Sequence, residues 1–404
     1  MVAGVVEKIR SDVDEIMPGV VADRRWLHEH PELAFEEVET AKFVVERLQQ
    51  LGVDDIQTGA GGSTGVTGLI HGSKPASGKT KVVALRADMD ALPILEENAV
   101  EYVSQNPGTM HACGHDAHTA MLMAVARVLL DRRDEFSGTV KLLFQPAEEL
   151  PPGGAIGMVQ AGVLDSPHVD AVFGAHVSSQ LAAGKIGLRP AGPGCAAADR
   201  FRIVIQGKGG HAARPQAAVD PVVIGSQIVL ALQTLVSRET DPMDAAVVST
   251  TAFLAGEAFN VIPDTAELRG TVRTLTEETR QNIARRLPEI AKGIGEAARA
   301  EISVDWYWGY PSIQNDGDMV AIARAAAEEV VGAENVVDSP LGMGGEDFAY
   351  FSLERPSCFY NVGTRNEERG ITWGHHHPRF DIEEEGMSAG IATMANIAIS
   401  YLAS

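Results

Sequence analysis

The sequence predicts an α/β fold in which a domain built on a mainly parallel sheet is interrupted by a smaller inserted domain. Two observations lead to this class. Apolar strand-like runs alternate with helix patterns through the first half of the chain, and a Pro/Gly-rich stretch then introduces a different order of elements. In chain order, the first half is predicted to form a helix at 36–51, a strand at 81–85, a helix at 119–130, and strands at 139–144 and 170–173.

The inserted domain is predicted to begin at the Pro/Gly-rich stretch 191–194, where the alternation of strands and helices ends. A strand at 201–206, a helix at 221–236, strands at 246–253 and 265–272, a helix at 277–298 and a strand at 302–306 follow. This βαββαβ order is that of ferredoxin-like domains. Thr274 and Glu277 resemble a capping box for the second helix.

The parent domain is expected to resume near Pro311 and to end in a helix at 384–402. The predicted boundaries therefore assign 1–190 and 308–404 to the larger domain and 191–307 to the insertion. A chain of 404 residues is too long for one ordinary core, which agrees with two domains.

The charge balance argues against one class of partner. Lys and Arg total 33 against 55 Asp and Glu, for a formal net charge of −22. Binding to nucleic acid through phosphate contacts needs the opposite excess, so no nucleic-acid partner is expected. An ordinary acidic surface accounts for the charge itself.

Cysteine usage and hydropathy point to a cytoplasmic protein with no membrane partner. Cys113, Cys195 and Cys358 are three in number and widely spaced, which does not suggest a disulfide framework. The first 18 residues mix apolar and charged side chains and lack the apolar run of a signal peptide. No stretch is expected to approach the ~20 apolar residues of a membrane span.

The densest chemistry lies at 111–118, which holds one thiol, three imidazoles and one carboxylate. Burying so many donors without a metal is costly. Cys113 and His115 are one residue apart, so a turn before the helix predicted at 119 could present both to one ion of the zinc type. A lone Cys or His is usually structural, but the density favours a metal site. His111 and His118 are expected to support the ligands or the fold.

Further polar side chains follow predicted strands. Asp88 and Asp90 follow the strand at 81–85, Glu148 and Glu149 follow the strand at 139–144, and His176 follows the strand at 170–173. Ligands of open parallel sheets bind beyond the carboxyl ends of the strands, so these segments are expected to converge.

Each of these groups has a second interpretation. One of Glu148 and Glu149 could bind metal while the other takes a proton from water, or both could decorate a helix N-terminus. Asp90 could bind, orient a neighbour, or cap a loop as Asp88 could. His176 fits a ligand or a partnered core imidazole.

Three consecutive imidazoles, His375 to His377, lie near the C-terminus. They could form only a polar loop, although Pro378 would make the backbone rigid enough for a ligand position. Among these three residues, the sequence pattern by itself does not select one.

The inserted domain offers three more candidates. His211 follows the Gly-rich turn 207–210 and could stabilise an oxyanion, or it could simply be exposed on a hairpin. Asn260 could add a polar contact. Arg273, or Arg269, could bind a carboxylate in forked geometry.

Together, the motifs resemble the aminoacylase-type metallopeptidase family, in particular its amidohydrolase branch of hippurate hydrolases, N-acyl-amino-acid amidohydrolases and auxin-conjugate hydrolases. The resemblance spans nearly the whole chain. It is carried by Arg25-Trp26-Leu27-His28 with Pro31-Glu32-Leu33, Arg86-Ala87-Asp88-Met89-Asp90-Ala91-Leu92-Pro93, the 111–118 cluster, Gln145-Pro146-Ala147-Glu148-Glu149, Gly174-Ala175-His176, Gly209-Gly210-His211-Ala212, Phe259-Asn260-Val261-Ile262-Pro263 and Gly344-Gly345-Glu346-Asp347-Phe348.

The resemblance implies two divalent ions per subunit, of zinc, manganese, cobalt or nickel, and a homodimer or larger homo-oligomer. It implies that the metal ligands are Cys113, His115, Glu149, His176 and His376. Glu148 would be the general base, and His211 would reach a neighbouring subunit's site through a dimerising lid. The implied reaction is hydrolysis of the amide bond of an N-acyl amino acid.

The chain departs from the family in three places. Asp88-Met89-Asp90 stands where sister branches have His-x-Asp, and Leu150-Pro151-Pro152 follows the glutamates where relatives commonly have Gly. The family's His-x-Pro pattern selects His376 from three adjacent imidazoles. The alternative functions are a dipeptidase or carboxypeptidase of the same family, and a metal-dependent binding protein without turnover.

Overall fold

The computed structural model describes residues 3–76 and 78–403. Within them the chain forms two compact units. One comprises the chain up to Gly194 together with Ile313–Leu341 and the residues from Asp347 onward, and the other comprises Cys195–Ser312 with Gly342–Glu346.

The helices are, in chain order, α1 (Ala3–Glu29), α2 (Val38–Leu51), α3 (His115–Leu130), α4 (Gly154–Gln160), α5 (Pro221–Arg238), α6 (Glu277–Ala297), α7 (Gly317–Val331), α8 (Ala349–Glu354) and α9 (Gly386–Ala403). The strands are β1 (Asp54–Ala60), β2 (Gly65–His71), β3 (Val82–Asp88), β4 (Thr139–Gln145), β5 (Ala171–Ala182), β6 (Ile186–Leu188), β7 (Gly192–Pro193), β8 (Ala197–Gln206), β9 (Gly210–His211), β10 (Ala246–Ala255), β11 (Val261–Ile262), β12 (Thr265–Thr274), β13 (Glu301–Tyr310), β14 (Gln314–Asn315), β15 (Val336–Asp338) and β16 (Ser357–Arg365).

The larger unit is built on an eight-stranded sheet of order β1-β2-β4-β3-β5-β16-β6-β15. Its central strands β4, β3, β5 and β16 are parallel to their neighbours in this series, whereas β1 and β2 add antiparallel pairs at one edge. Helices α1, α3, α7 and α9 contribute to the buried core beside these strands. The predicted α/β class with a mainly parallel sheet is confirmed.

Register explains why polar segments gather at one edge of this sheet. Asp88 at the end of β3 lies opposite Gln145 at the end of β4, and the loop after Gln145 carries Glu148. The predicted end of the next strand at 173 is wrong, because β5 continues to Ala182 and His176 lies inside it; β5 pairs in parallel with β3 up to Arg86 and Gly174, so His176 lies two residues beyond that pair. Because parallel strands present their carboxyl ends to the same edge, these side chains come together.

The smaller unit has a four-stranded antiparallel sheet of order β10-β12-β8-β13 with α5 and α6 packed against it. Its elements follow the expected βαββαβ order, with a short β9–β11 pair added. The predicted capping box is wrong, because Thr274 is buried in β12. Thr276 is the N-cap of α6 and accepts from the backbone N–H of Thr279.

The limits of this unit differ from the predicted ones by a few residues. Gly192–Pro193 forms β7, which pairs with β14 of the larger unit, and β13 continues to Tyr310. The segment Gly342–Glu346 also belongs to the smaller unit. A two-residue strand has no readable period, so such boundaries leave little trace in a sequence.

Two helices, α5 and α9, have the length and hydropathy of a membrane span, contrary to the expectation from sequence. In α9 the apolar residues are explained by burial, because 83 % of the helix lies inside the protein. In α5 only 33 % is buried, and its apolar character therefore needs another explanation.

Candidate metal centre

The first ligand segment is shaped by the start of α3. The helix begins at His115 rather than at 119, with Gly114 at its N-cap in the left-handed region at φ 88°. A Cβ is disfavoured there both by this φ and by the side chain of Val177, with which it would collide. Cys113 therefore precedes the helix and His115 occupies its first turn, instead of both lying on a turn before it.

Five predicted ligands gather into overlapping groups in the larger unit. Donor atoms of Cys113, His115 and His176 lie within 4.8 Å of one another, and so do those of Cys113, Glu149 and His376. Cys113 is shared by both groups. Donor atoms of His115, Glu148 and Glu149 form a third group of the same size.

The two imidazoles of the first group present the same nitrogen to the cluster. In His176, Nδ1 donates to the backbone oxygen of Val177 at 2.6 Å, so Nε2 keeps its lone pair and lies 3.4 Å from Sγ of Cys113. In His115, Nδ1 lies 3.3 Å from Oδ1 of Asp90. Buried Nε2 of His115 has no hydrogen bond among the residues that the structure describes.

Electrostatics at the cluster favour a cation. Burial lowers the pKa of His115, but Asp88, Asp90 and Glu149 outweigh burial and raise it to about 10. Burial raises the pKa of the Cys113 thiol, and nearby carboxylates, Glu149 first, raise it further. Removing these protons requires a compensating positive charge, which a divalent ion provides. The orphaned nitrogen, the thiol and the carboxylates fit a metal site.

His376 is the member of the histidine triplet that faces the cluster. Its Nε2 lies 3.1 Å from Oε1 of Glu149, and its backbone adopts a left-handed φ of 63° while its N–H donates to the backbone oxygen of Ala112. By contrast, Nε2 of His375 accepts from the N–H of Ser179, and His377 stacks on a tryptophan ring. A non-glycine residue in the conformation of His376 is strained and needs surrounding contacts to hold it.

Asp90 binds backbone groups of the glutamate loop. Its Oδ1 accepts the N–H of Glu148 and its Oδ2 accepts the N–H of Glu149, each at 2.9 Å, while Oδ1 also faces His115. Asp90 is buried. Both carboxylate oxygens are thus occupied, and the residue orients Glu148, Glu149 and His115 together.

Asp88 acts through His118. Nδ1 of His118 donates to Oδ1 of Asp88 at 2.5 Å, and its Nε2 accepts the N–H of Val177 at 2.8 Å. Arg86 holds Oδ2 of Asp88 at 2.7 Å. With both ring nitrogens engaged, His118 has a supporting role. His111 is buried, and burial lowers its pKa to about 4.

The candidates of the inserted domain lie in the smaller unit. His211 is exposed on β9 and pairs with Val261, beside Asn260, whose backbone oxygen accepts the N–H of Ala212. Arg273 lies on β12 and contacts Thr271 and the backbone oxygen of Val272. The roles of His211, Asn260 and Arg273 toward the substrate stay predictions.

Sequence reasoning missed two groups that contact the ligand-bearing segments. Glu37 accepts the N–H of Ala147, and Arg24 and His28 both bind Asp116, the neighbour of His115. Residues 25–28 belong to a motif that carried the resemblance, but nothing in the spacing indicates these contacts. They join positions about a hundred residues apart, which local patterns do not report.

Comparisons with known proteins agree with this geometry. The profile of the peptidase family M20/M25/M40 matches residues 84–400. An N-acyl-L-amino acid amidohydrolase of Geobacillus stearothermophilus is 48 % identical over 314 residues, covering 77 % of this chain and 82 % of the relative. Thermostable carboxypeptidase 1 of Saccharolobus solfataricus is 39 % identical and covers 98 % of each chain.

A crystal structure with a similar fold is known. The crystal structure of the Bacillus subtilis protein YxeP, a dinuclear metal-binding peptidase of the M20 family, superimposes with a TM-score of 0.82 at 38 % identity and covers 96 % of this chain and 99 % of that one. The resemblance inferred from the motifs is confirmed. The profile match and the full-length relatives show that this chain belongs to the peptidase family M20/M25/M40.

Proposed function

We propose that the protein is a metal-dependent amidohydrolase that cleaves N-acyl amino acids into a carboxylic acid and an amino acid. The observation that carries the proposal is the place of Glu148, a buried carboxylate whose oxygen lies within 4.8 Å of donor atoms of His115 and Glu149. A site for binding alone does not need a second carboxylate beside a ligand carboxylate. The relative named as an N-acyl-L-amino acid amidohydrolase supports the substrate class.

Two divalent ions would be held by Cys113, His115, Glu149, His176 and His376, with Cys113 common to the two groups of donors. When bound, such ions supply Lewis-acid polarisation of a carbonyl and a lowered pKa for water. Thiolate and imidazole donors suit zinc, cobalt or nickel, and the carboxylate also suits manganese. The dinuclear site named for YxeP supports the count of two.

Residues of the protein itself transfer the proton and position the group that transfers it. Glu148 takes the proton of the attacking water and passes it to the leaving amide nitrogen, which departs as the amine. Asp90 holds the backbone of Glu148 and Glu149, so the base keeps its position relative to the ligands.

We assign the binding of the substrate to residues of the smaller unit. Burial lowers the pKa of Arg273, with Arg200 adding to the effect and Asp199 opposing it. Its side chain has no carboxylate ion pair among the described residues, and its hydrogen bonds involve Nη1, which leaves Nε and Nη2 for a substrate carboxylate. Asn260 would add a polar contact, and the exposed imidazole of His211 would stabilise the oxyanion in a neighbouring subunit's site.

A homodimer through the smaller unit is the proposed assembly. From Pro221 to Ser237, α5 carries no charged residue, yet only 33 % of the helix is buried and Leu230 is 73 % exposed. The strand β10 packed on it is an edge strand and is also uncharged. An uncharged helix face beside an open strand edge fits a second copy of the same surface. Sedimentation of wild type and Leu230→Glu tests this, since a monomeric wild type would refute it.

We also propose a cytoplasmic location without nucleic-acid or membrane partners. The three cysteines are free thiols in the structure, and Cys113 must stay reduced to act as a ligand. Fractionation of cells with an antibody to the native protein would test the location.

A carboxypeptidase activity is the second candidate, favoured by the 39 % identity to a thermostable carboxypeptidase. Both activities need the same metals and base and differ only in the acyl part of the substrate.

The deciding experiment is release of free amino acid from N-acetyl, N-benzoyl and indole-acetyl amino acids and from dipeptides. It is run after chelation and again after adding zinc, manganese, cobalt or nickel. Restored cleavage of acyl conjugates supports the amidohydrolase. Preference for dipeptides supports the peptidase, and no cleavage by protein with bound metal supports a binding role.

A further inference from the structure

The carboxylate of Glu37 is buried beside the catalytic loop, although its place in the chain predicts a different role. Glu37 is the N-cap of α2, but its side chain makes no cap hydrogen bond. Glu32 performs that task, because its carboxylate accepts the N–H groups of Glu39 and Thr40 in the first turn of the helix. Capping of α2 therefore does not account for Glu37.

The carboxylate of Glu37 is fully enclosed and has two partners on other segments. Its Oε1 accepts the backbone N–H of Ala147 at 2.8 Å, and its Oε2 accepts the hydroxyl of Thr64 at 2.5 Å. Enclosing an acidic side chain in this way is costly, and such groups are retained where a specific contact needs them.

The contact matters because of the conformation of Ala147. This residue lies in the left-handed region at φ 54°, which disfavours residues with a Cβ. Its peptide groups are held on both sides, the N–H by Glu37 and the carbonyl by the N–H of Gly154 at 3.0 Å. Removing Glu37 removes one of these two restraints.

Glu37 and Asp90 act on consecutive peptide groups. Glu37 accepts a hydrogen bond from the N–H of Ala147, and Asp90 accepts hydrogen bonds from the N–H groups of Glu148 and Glu149. Three successive N–H groups thus end on two enclosed carboxylates from separate segments. The direction in which the side chain of Glu148 leaves the backbone depends on both.

We propose that Glu37 is a positioning residue for the general base: it holds Ala147 in the left-handed conformation and so directs Glu148 toward the substrate amide. This inference rests on the proposed function, because it explains how one reacting group, Glu148, is oriented, and it adds a residue outside the ligand set. The two hydrogen bonds of the Glu37 carboxylate end on Ala147 and Thr64, neither of which is a proposed metal ligand. The role needs no proton transfer by Glu37 itself.

The test compares Glu37 variants of the full-length, metal-loaded enzyme. Glu37→Ala is expected to lower kcat by about 10-fold or more with KM and metal content near wild type, since small misplacement of a reacting group lowers rate steeply. Glu37→Gln keeps an acceptor at the same reach and should restore most of the lost kcat. Glu37→Asp keeps the charge but withdraws the acceptor, and should resemble Glu37→Ala.

Asn396→Ala is the matched structural control. Asn396 is buried and donates to the backbone of Ala326 and to Glu329, so its loss removes hydrogen bonds between α9 and α7. Its kcat should stay near wild type despite a lowered Tm. A second comparison uses Ala147→Gly, because glycine adopts the left-handed region readily. Adding Ala147→Gly to Glu37→Ala should raise kcat above that of Glu37→Ala alone.

The proposal is overturned if Glu37→Ala keeps the kcat of the control, if Glu37→Gln is as impaired as Glu37→Ala, or if the loss follows metal content. Because Glu37→Asp and Glu37→Gln disturb volume little, they carry the test even where Glu37→Ala does not fold. Turnover by wild type with unaffected variants would refute only this inference. Absence of wild-type turnover with bound metal would refute the proposed function and this inference together.

Discussion

Nδ1 of His118 donates to Oδ1 of Asp88 at 2.5 Å, while Nε2 of the same ring accepts the N–H of Val177. These two bonds define one neutral tautomer and fix the ring, which α3 carries, against β3 and β5. The ring of His118 in turn lies 4.5 Å from that of His176, centroid to centroid. A histidine with no free nitrogen thus orients one that offers Nε2 to the metal cluster.

We therefore expect His118→Phe to weaken metal binding without removing a ligand. Loss of such supporting partners typically lowers metal affinity by about 10–100-fold. Competition with a chelator of known affinity measures the change. His377→Phe is the control, because His377 stacks on Trp373 outside the cluster, and equal affinities for all three proteins would contradict the role of His118.

Asp90→Asn tests the anchoring of the glutamate loop. The asparagine retains one acceptor but turns an NH₂ group toward a backbone N–H, so one of the two bonds to Glu148 and Glu149 is replaced by repulsion. We expect kcat to fall by roughly 100-fold and metal content to decline.

Asp316→Asn provides the comparison for Asp90. Asp316 is the N-cap of α7 and accepts two backbone N–H groups, those of Asp318 and Met319. One oxygen, Oδ1, accepts both groups, so asparagine preserves them and that variant should keep its metal content and its stability near wild type. Equal kcat for Asp90→Asn and Asp316→Asn would show that Asp90 does not position the loop.

Variants of the adjacent residues Glu148 and Glu149 should differ in phenotype. Glu148→Gln removes the proton acceptor and is expected to lower kcat by about 10²–10⁴-fold with metal content intact. Glu149→Gln removes a ligand that lies 3.1 Å from His376 and should lower metal content first. Metal analysis beside steady-state kinetics distinguishes them, and loss of metal in Glu148→Gln would reverse the two assignments.

The sequence predicted the convergence of the site because one rule governs parallel sheets. The ends of β3 at Asp88 and of β4 before Glu148 had to meet at one edge, and His176 joins them from inside β5, which continues past this edge to Ala182. The predicted start of α3 is four residues late, since Gly114 and His115 read as part of a loop until the left-handed cap is seen. The contact of Glu37 with Ala147 was not predictable, because it joins residues 110 apart through a backbone group.

Metal binding should release protons at neutral pH. Burial and the carboxylates of Glu149, Glu148 and Asp88 raise the pKa of Cys113, so its thiol is protonated before a metal arrives. A thiolate ligand must lose that proton. Titration calorimetry in buffers of different ionisation enthalpy counts the protons released. Cys113→Ser should release about one proton fewer per chain, and an unchanged count would contradict thiolate ligation.

Stability should depend on pH through His28, a buried residue remote from the ligands in sequence. Burial and Arg24 lower its pKa, but hydrogen bonds to Asp116 and Glu96 outweigh them, so the pKa is raised. Tyr102 also faces the ring. A raised pKa in the folded state means that the charged form is stabilised by folding. This contribution is complete below the unfolded pKa of about 6.5 and is lost as pH rises through the folded value.

The difference in unfolding free energy between wild type and His28→Asn should therefore shrink as pH increases from about 6 toward 9. Asparagine keeps a donor toward Asp116 but carries no charge and loses the bond to Glu96, so only the pH-dependent part of the difference reports the charge of His28. Urea unfolding at each pH, with metal held constant, measures the difference. A gap that is constant or grows with pH would show that His28 is neutral in the folded protein, and that Arg24 alone compensates the charge of Asp116.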